Sequence, residues 1–120
     1  MPGARDTCEL LCLDLPKAEA LRQALPSAAA LEATSLPYKA LTDPTRVAVL
    51  LSLADGGSCC VCDLSWIVGR DEKLVSHHLR LLKNLGAVRS QRDGRMVMYE
   101  LTDLGAALVA SFRATSTVSE

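Results

Sequence analysis

The sequence predicts a mainly α-helical domain with one small β-hairpin near its C-terminal end. Hydrophobic residues make up 49% of the 120 and aromatic ones only 3%, so the core is aliphatic, as packed helices require. Helix start and stop signals recur along the chain, whereas one stretch, residues 88–101, has the period of two that marks strands. A chain of this length forms one domain, and a partner subunit readily stabilises a domain this small.

Residues 1–15 lack periodicity and read as an arm. Pro16 suits the first turn of a helix whose apolar stripe is Leu15, Ala18, Leu21, Ala24 and Leu25, and Pro26 ends it. Residues 27–33 are Ala-rich and helical, and residues 36–41 form a short helical piece. Asp43 then caps a helix with Pro44 at its first position, and Gly56-Gly57 stops it. A short helix follows, containing Leu64, Trp66, Ile67 and Val68 and closed by Gly69, with Trp66 expected in the core. Asp71 or a neighbour opens a longer helix with apolar Leu74, Val75, Leu79, Leu82 and Leu85, ended by Gly86. The hairpin turns around Asp93-Gly94. Thr102 or Asp103 caps a last helix running to about Phe112. The organisation is thus an arm (1–15), a main domain (16–114) and a polar tail (115–120).

A short helix, a turn with glycine, a second helix and a hairpin make a winged helix-turn-helix, a fold that reads double-stranded DNA. The second helix would enter the major groove with Lys73, Ser76, His77 and Arg80 on its polar face. Arginine can contact guanine bidentately, and Ser or His can reach base edges or phosphate. Arg92 and Arg95 stand at the hairpin tip, and Lys83 and Arg89 suit phosphate steering. Net charge is only −1, but residues 70–95 hold seven Lys/Arg against three acids, so the positive charge is concentrated in this unit. A solvated helix face and hairpin would carry the same run. Adjacent His77 and His78 diverge by about 100° on a helix, so one is expected exposed and one packed rather than both on one ion.

Five cysteines fall in two clusters: Cys8 and Cys12, then Cys59, Cys60 and Cys62. The N-terminus has no apolar core of a signal peptide and no apolar run is long enough to span a membrane, so a cytoplasmic location is expected. In that compartment clustered cysteines are metal ligands or redox thiols rather than structural disulfides. Cys60 and Cys62 at a helix start can point the same way, and Cys8 with Cys12 would complete a four-thiolate site for cadmium or zinc. Three thiolates would suit lead. Reversible thiol redox sensing and structural zinc are the competing readings. An oxidoreductase would want Cys-x-x-Cys in a βαβ setting, which is absent, so no enzyme activity is expected. Spacing leaves open whether the two pairs meet within a subunit or across subunits.

The segments Leu41-Thr-Asp-Pro-Thr-Arg46, Cys60-Val-Cys-Asp-Leu64, Val75-Ser-His-His-Leu-Arg80 and Gly94-Arg-Met-Val-Met-Tyr99 resemble the ArsR/SmtB family of metal-sensing repressors. Thr7-Cys-Glu-Leu-Leu-Cys12 is similar to the start of its cadmium/lead-responsive branch. The resemblance implies a homodimer that binds an operator with an imperfect inverted repeat and leaves it when cadmium or lead binds, with zinc or bismuth as further candidates. It implies that Cys8 and Cys12 of one subunit meet Cys60 and Cys62 of the other. An arsenic(III)-sensing or thiol-redox-sensing repressor of the same fold is the alternative. Cys59 precedes the family pattern and is a spare ligand, a reactive thiol or a small buried hydrophobe. A second family site on the last helix would use Asp103 and a histidine, but Gly105 stands in the histidine's place, so that site is expected to be absent or non-functional.

Overall fold

The structure is a computed structural model that describes residues 6–117; the first five residues of the arm and the last three of the tail lie outside the described residues. The chain divides into two units, Met1–Leu31 and Glu32–Glu120.

In the first unit, helix α1 (Leu15–Ala24) starts where Asp14 accepts the Lys17 N–H at 3.3 Å. Glu19 and Arg22 pair one turn apart on its surface. Its stripe residues Leu15, Leu21 and Leu25 are exposed, and no residue of the helix is buried. Ser27 accepts the Ala30 N–H at 3.1 Å and starts α2 (Ala28–Ser35), which leads into the second unit.

The second unit opens with a 3-10 helix (Leu36–Leu41) and continues through α3 (Pro44–Gly56), β1 (Ser58–Cys60), α4 (Val61–Val68), α5 (Glu72–Asn84), β2 (Val88–Asp93), β3 (Met96–Leu101) and α6 (Asp103–Thr115). Asp43 caps α3 by accepting the N–H groups of Thr45 at 2.8 Å and Arg46 at 3.2 Å, and Pro44 needs no partner there. Asp71 and Thr102 cap α5 and α6 in the same way. Helix α5 buries Val75, His78, Leu79 and Leu82, the i, i+3, i+4, i+7 face of an amphipathic helix. These side chains meet Val49, Leu50 and Leu53 of α3, Leu64 of α4, Ala87 and Val88, and Leu108 and Val109 of α6 in one aliphatic core.

Three details differ from the sequence reading. The sheet has three strands, in the order β1-β3-β2, because Ser58–Cys60 pairs antiparallel with β3. The hairpin turns at Gly94-Arg95, since Asp93 pairs with Met96, and Gly94 takes the positive φ of 63° that its first turn position needs. Trp66 is not in the core but 88% exposed. Leu64 supplies the buried face of α4, and a residue two positions on lies about 200° around the helix, on the opposite side.

Candidate thiolate site and nucleic-acid interface

Cys8 and Cys12 are exposed free thiols, and Cys12 Sγ donates to Cys8 Sγ at 2.9 Å. That contact raises the Cys12 thiol above its ordinary value. The arm therefore presents two neighbouring sulfurs to solvent.

The second cluster is sorted by the change from strand to helix. Cys59 lies mid-strand in β1 opposite Tyr99 and points into the core, where it is buried. Strand alternation turns Cys60 to the other side. Cys60 is also the N-cap of α4, its N–H directed to Asp63 Oδ2 at 3.4 Å. Cys62 sits in the first turn of α4 and is exposed, two residues after half-buried Cys60. So half-buried Cys60 and exposed Cys62 form a second pair of free thiols, while Cys59 serves the core. Burial raises the Cys59 thiol, as expected for an inert packing residue. The Cys62 thiol is also raised, chiefly by the neighbouring negative charge of Glu72 and by a hydrogen bond to it.

Each pair fits a soft ion by donor type and accessibility, and each alone offers two donors. A four-coordinate thiolate site would need both pairs. Among the described residues of the chain, no group of three or more His, Cys, Asp or Glu is arranged to hold a metal.

The DNA-facing candidates lie opposite the buried stripe of α5. Lys73, His77 and Arg80 are exposed and Ser76 is half-buried. His78 is packed inside, so the adjacent histidines diverge as their helical offset requires. Arg92 and Arg95 are exposed at the hairpin tip, with Arg92 Nη1 directed to the Gly94 carbonyl at 3.5 Å. Arg89 pairs with Glu100 at 2.8 Å, which offsets its charge, whereas Lys83 Nζ donates to the neutral Ser90 hydroxyl at 2.8 Å and keeps its own.

Gly105 has a packing reason. Thr102 Oγ1 accepts the Gly105 N–H at 3.1 Å and donates to the Gly86 carbonyl at 2.5 Å, which draws α6 onto the end of α5. A Cβ on residue 105 would overlap the Ala87 carbonyl. Histidine does not fit there.

Two site residues escaped the sequence reading. Glu72 counted only as an acid in a basic segment, and its contact with Cys62 depends on how the α4–α5 turn folds back. Asp43 was read only as a cap, yet its Oδ1 also lies 3.9 Å from Nε2 of buried His78. No spacing rule pairs residues so far apart in the chain.

Residues 43–90 match the family described as "Bacterial regulatory protein, arsR family". The chain is 35% identical over 99 residues to the cadmium resistance transcriptional regulatory protein CadC homolog of Staphylococcus aureus, a match spanning 82% of this chain and 81% of that one. Among solved structures it is similar to the homodimeric winged helix-turn-helix DNA-binding domain Mb0332 of Mycobacterium bovis, with a TM-score of 0.62 and 25% identity, over 81% of this chain and 99% of that one. It is also similar to the AntR antimony-specific transcriptional repressor, with a TM-score of 0.64 and 26% identity, over 86% of this chain and 93% of that one. Fold, motif positions and relatives agree: the chain belongs to the arsR family, winged helix-turn-helix regulators of transcription rather than enzymes.

Proposed function

We propose that this chain is a metal-responsive repressor that binds operator DNA as a homodimer in the cytoplasm and is released by a soft ion bound to Cys8, Cys12, Cys60 and Cys62. Cadmium and lead are the leading inducers, and zinc or bismuth fit the same donors. The observation that carries the reading is the pair of free thiols at the start of α4, half-buried Cys60 and exposed Cys62, on the helix immediately before the recognition helix α5. The likeness to a cadmium resistance regulator over most of both chains supports the choice of ion. The likeness to a homodimeric domain supports the dimer. Among the described residues, no helix is long and apolar enough to cross a membrane, which fits the proposed location.

In this reading, Lys73, Ser76, His77 and Arg80 read the major groove and Arg92 and Arg95 grip the backbone from the wing. The Cys8/Cys12 arm of one subunit completes the tetrahedral site on Cys60 and Cys62 of the other. Binding draws the arm onto α4 and alters the placement of the two reading heads. A two-fold reader needs its heads to match the half-site spacing, so a modest shift weakens the complex. Coupling of ~1–3 kcal/mol is the usual scale, and by linkage DNA weakens metal binding by the same factor.

The test is a cadmium titration followed by ultraviolet thiolate-to-metal absorption, in the native protein and in single Cys→Ser variants. Loss of intensity in the Cys8, Cys12, Cys60 and Cys62 variants, with Cys59→Ser unchanged, is the expected result. A spectrum insensitive to Cys60 and Cys62 rules the site out.

The close Cys8–Cys12 contact favours one further reading, a repressor released by trivalent arsenic or by disulfide formation. Diamide or arsenite, but not cadmium, would then release DNA.

A further inference from the structure

The outer face of the sheet places a thioether beside one of the candidate thiols. Tyr99 and Leu101 of β3 pack on the core, so strand alternation turns Met96, Met98 and Glu100 to the other face. The Arg89–Glu100 pair marks that face: the two residues stand in direct register on β2 and β3, and their ion pair is open to solvent. On β1, Cys59 pairs with Tyr99 and faces the core with it, whereas Cys60 pairs with Met98. Directly opposed residues of an antiparallel pair point to the same face, with Cβ atoms about 4.5–5.5 Å apart. Half-buried Cys60 and half-buried Met98 are therefore cross-strand neighbours on the outer face. Cys62 stands two residues on, in the first turn of α4. Met98 also lines a cavity of about 210 Å³ with Ser58, Gln91, Arg92 and Asp93, so its flexible side chain has open space beside it.

We propose that Cys60, Cys62 and Met98 of one protomer form a three-sulfur site for a soft monovalent ion, copper(I) or silver(I). The inference rests on the Cys60/Cys62 thiol pair of the reading above and adds a second class of ion to it. Thiolate and thioether sulfurs are the donors that select copper(I). Zinc and cadmium fill four positions and so call on the arm thiols as well. A closed-shell monovalent ion is satisfied by two or three sulfurs, which β1, α4 and β3 supply within one subunit. The thioether is uncharged, so Met98 adds a soft donor without adding negative charge, which suits an ion of single charge. On binding, each thiol gives its proton to solvent as its S–metal bond forms, Met98 contributes a lone pair, and nothing is oxidised or reduced. The bound ion joins wing strand β3 to the start of α4.

The test uses the reduced full-length protein, without oxygen, and silver(I) and copper(I) as probes. Methionine methyl groups are labelled with carbon-13, and the Met98 signal is assigned by its disappearance in Met98→Leu. One equivalent of silver(I) is expected to shift the Met98 signal well beyond that of Met96, and to do so equally in a chain carrying Cys8→Ser and Cys12→Ser. Copper(I) affinity, read by competition with a coloured chelator, is expected to fall roughly tenfold or more in Met98→Leu, since even an outer-shell partner is worth that much. The ultraviolet thiolate–cadmium band of that variant is expected to match the native one. A Met98 signal that does not move, with Cys60→Ser still weakening both ions, overturns this inference and leaves the thiolate site standing. Loss of the shift in the arm variant overturns the single-protomer donor set. An equal loss of cadmium and copper(I) binding in Met98→Leu marks a disturbed strand and overturns the inference as well. Binding of both ions that is indifferent to Cys60 and Cys62 overturns both readings.

Discussion

Nε2 of His78, on the buried face of the recognition helix, stands 3.9 Å from Oδ1 of Asp43, the residue that caps α3. His78 Nδ1 is buried without a hydrogen-bond partner among the described residues. Burial pushes the imidazole below the ordinary histidine value of 6.5; Asp43 opposes this, while Arg46 and His77 add to it.

This arrangement sets a pH dependence. The folded value lies below the unfolded one, so the unfolded chain takes up the proton first as pH drops. His78's contribution is therefore complete above pH 6.5 and is lost as pH falls through 6.5 toward the folded value. Asp43 is held below the usual carboxylate range, chiefly by accepting the Arg46 N–H, so its own loss begins only below 3.8. Urea unfolding at about pH 7.5 and about pH 5.5, spanning the histidine range, is expected to show a larger loss for the native chain than for His78→Gln. Equal losses would contradict the assignment.

Glycine-to-alanine changes inside helices usually stabilise. Gly105→Ala is expected to do the opposite, because its Cβ would run into the Ala87 carbonyl. Overpacking costs about 1–3 kcal/mol, visible as a lowered thermal midpoint. A neutral or raised midpoint would show that α6 has room to move away.

Cys59 is expected to act as a core residue and not as a metal ligand. Cys59 packs in the core with its sulfur near Gly56, 3.3 Å from where a Cβ on that residue would stand. Cys59→Ser places a hydroxyl in apolar surroundings and is expected to lower unfolding stability by roughly 1–3 kcal/mol while leaving cadmium stoichiometry unchanged. Reduced stoichiometry would make Cys59 a ligand.

The arginines are expected to differ according to their partners. Arg80→Ala should weaken a selected duplex more than random DNA, by about 1–3 kcal/mol if it reads a guanine. Arg92→Ala and Arg95→Ala should weaken all sequences alike, each reducing the salt dependence by about one unit. Arg89→Ala should have little effect, because Glu100 already offsets its charge. Binding isotherms at several salt concentrations measure all four.

Much of the fold was legible because its signals are local. Asp43, Asp71 and Thr102 cap helices through their own side chains, and Val75, Leu79 and Leu82 name the buried face of α5 by spacing alone, whereas Leu74, counted in the same stripe, is exposed. Strand β1 was not legible: three residues are too few to show alternation, and its partner β3 lies some forty residues on. The fate of Cys59 followed from that strand, because only β pairing turns it inward and Cys60 outward. Trp66 misled because its size suggests a core position, whereas its offset from Leu64 places it outside. Of the candidate site, the ligand types and their pairing in sequence were readable, but the Cys62–Glu72 contact depended on the turn that brings α5 back against α4.

The central claim is that the thiolates control DNA release. Fluorescence anisotropy of a labelled selected duplex during a cadmium titration tests it most directly, comparing the native chain with Cys60→Ser. Serine is itself a favourable N-cap, so that variant keeps the start of α4. The account predicts that the native protein leaves the DNA as cadmium rises and that Cys60→Ser stays bound. Release of Cys60→Ser at the same cadmium concentration as the native chain would contradict it.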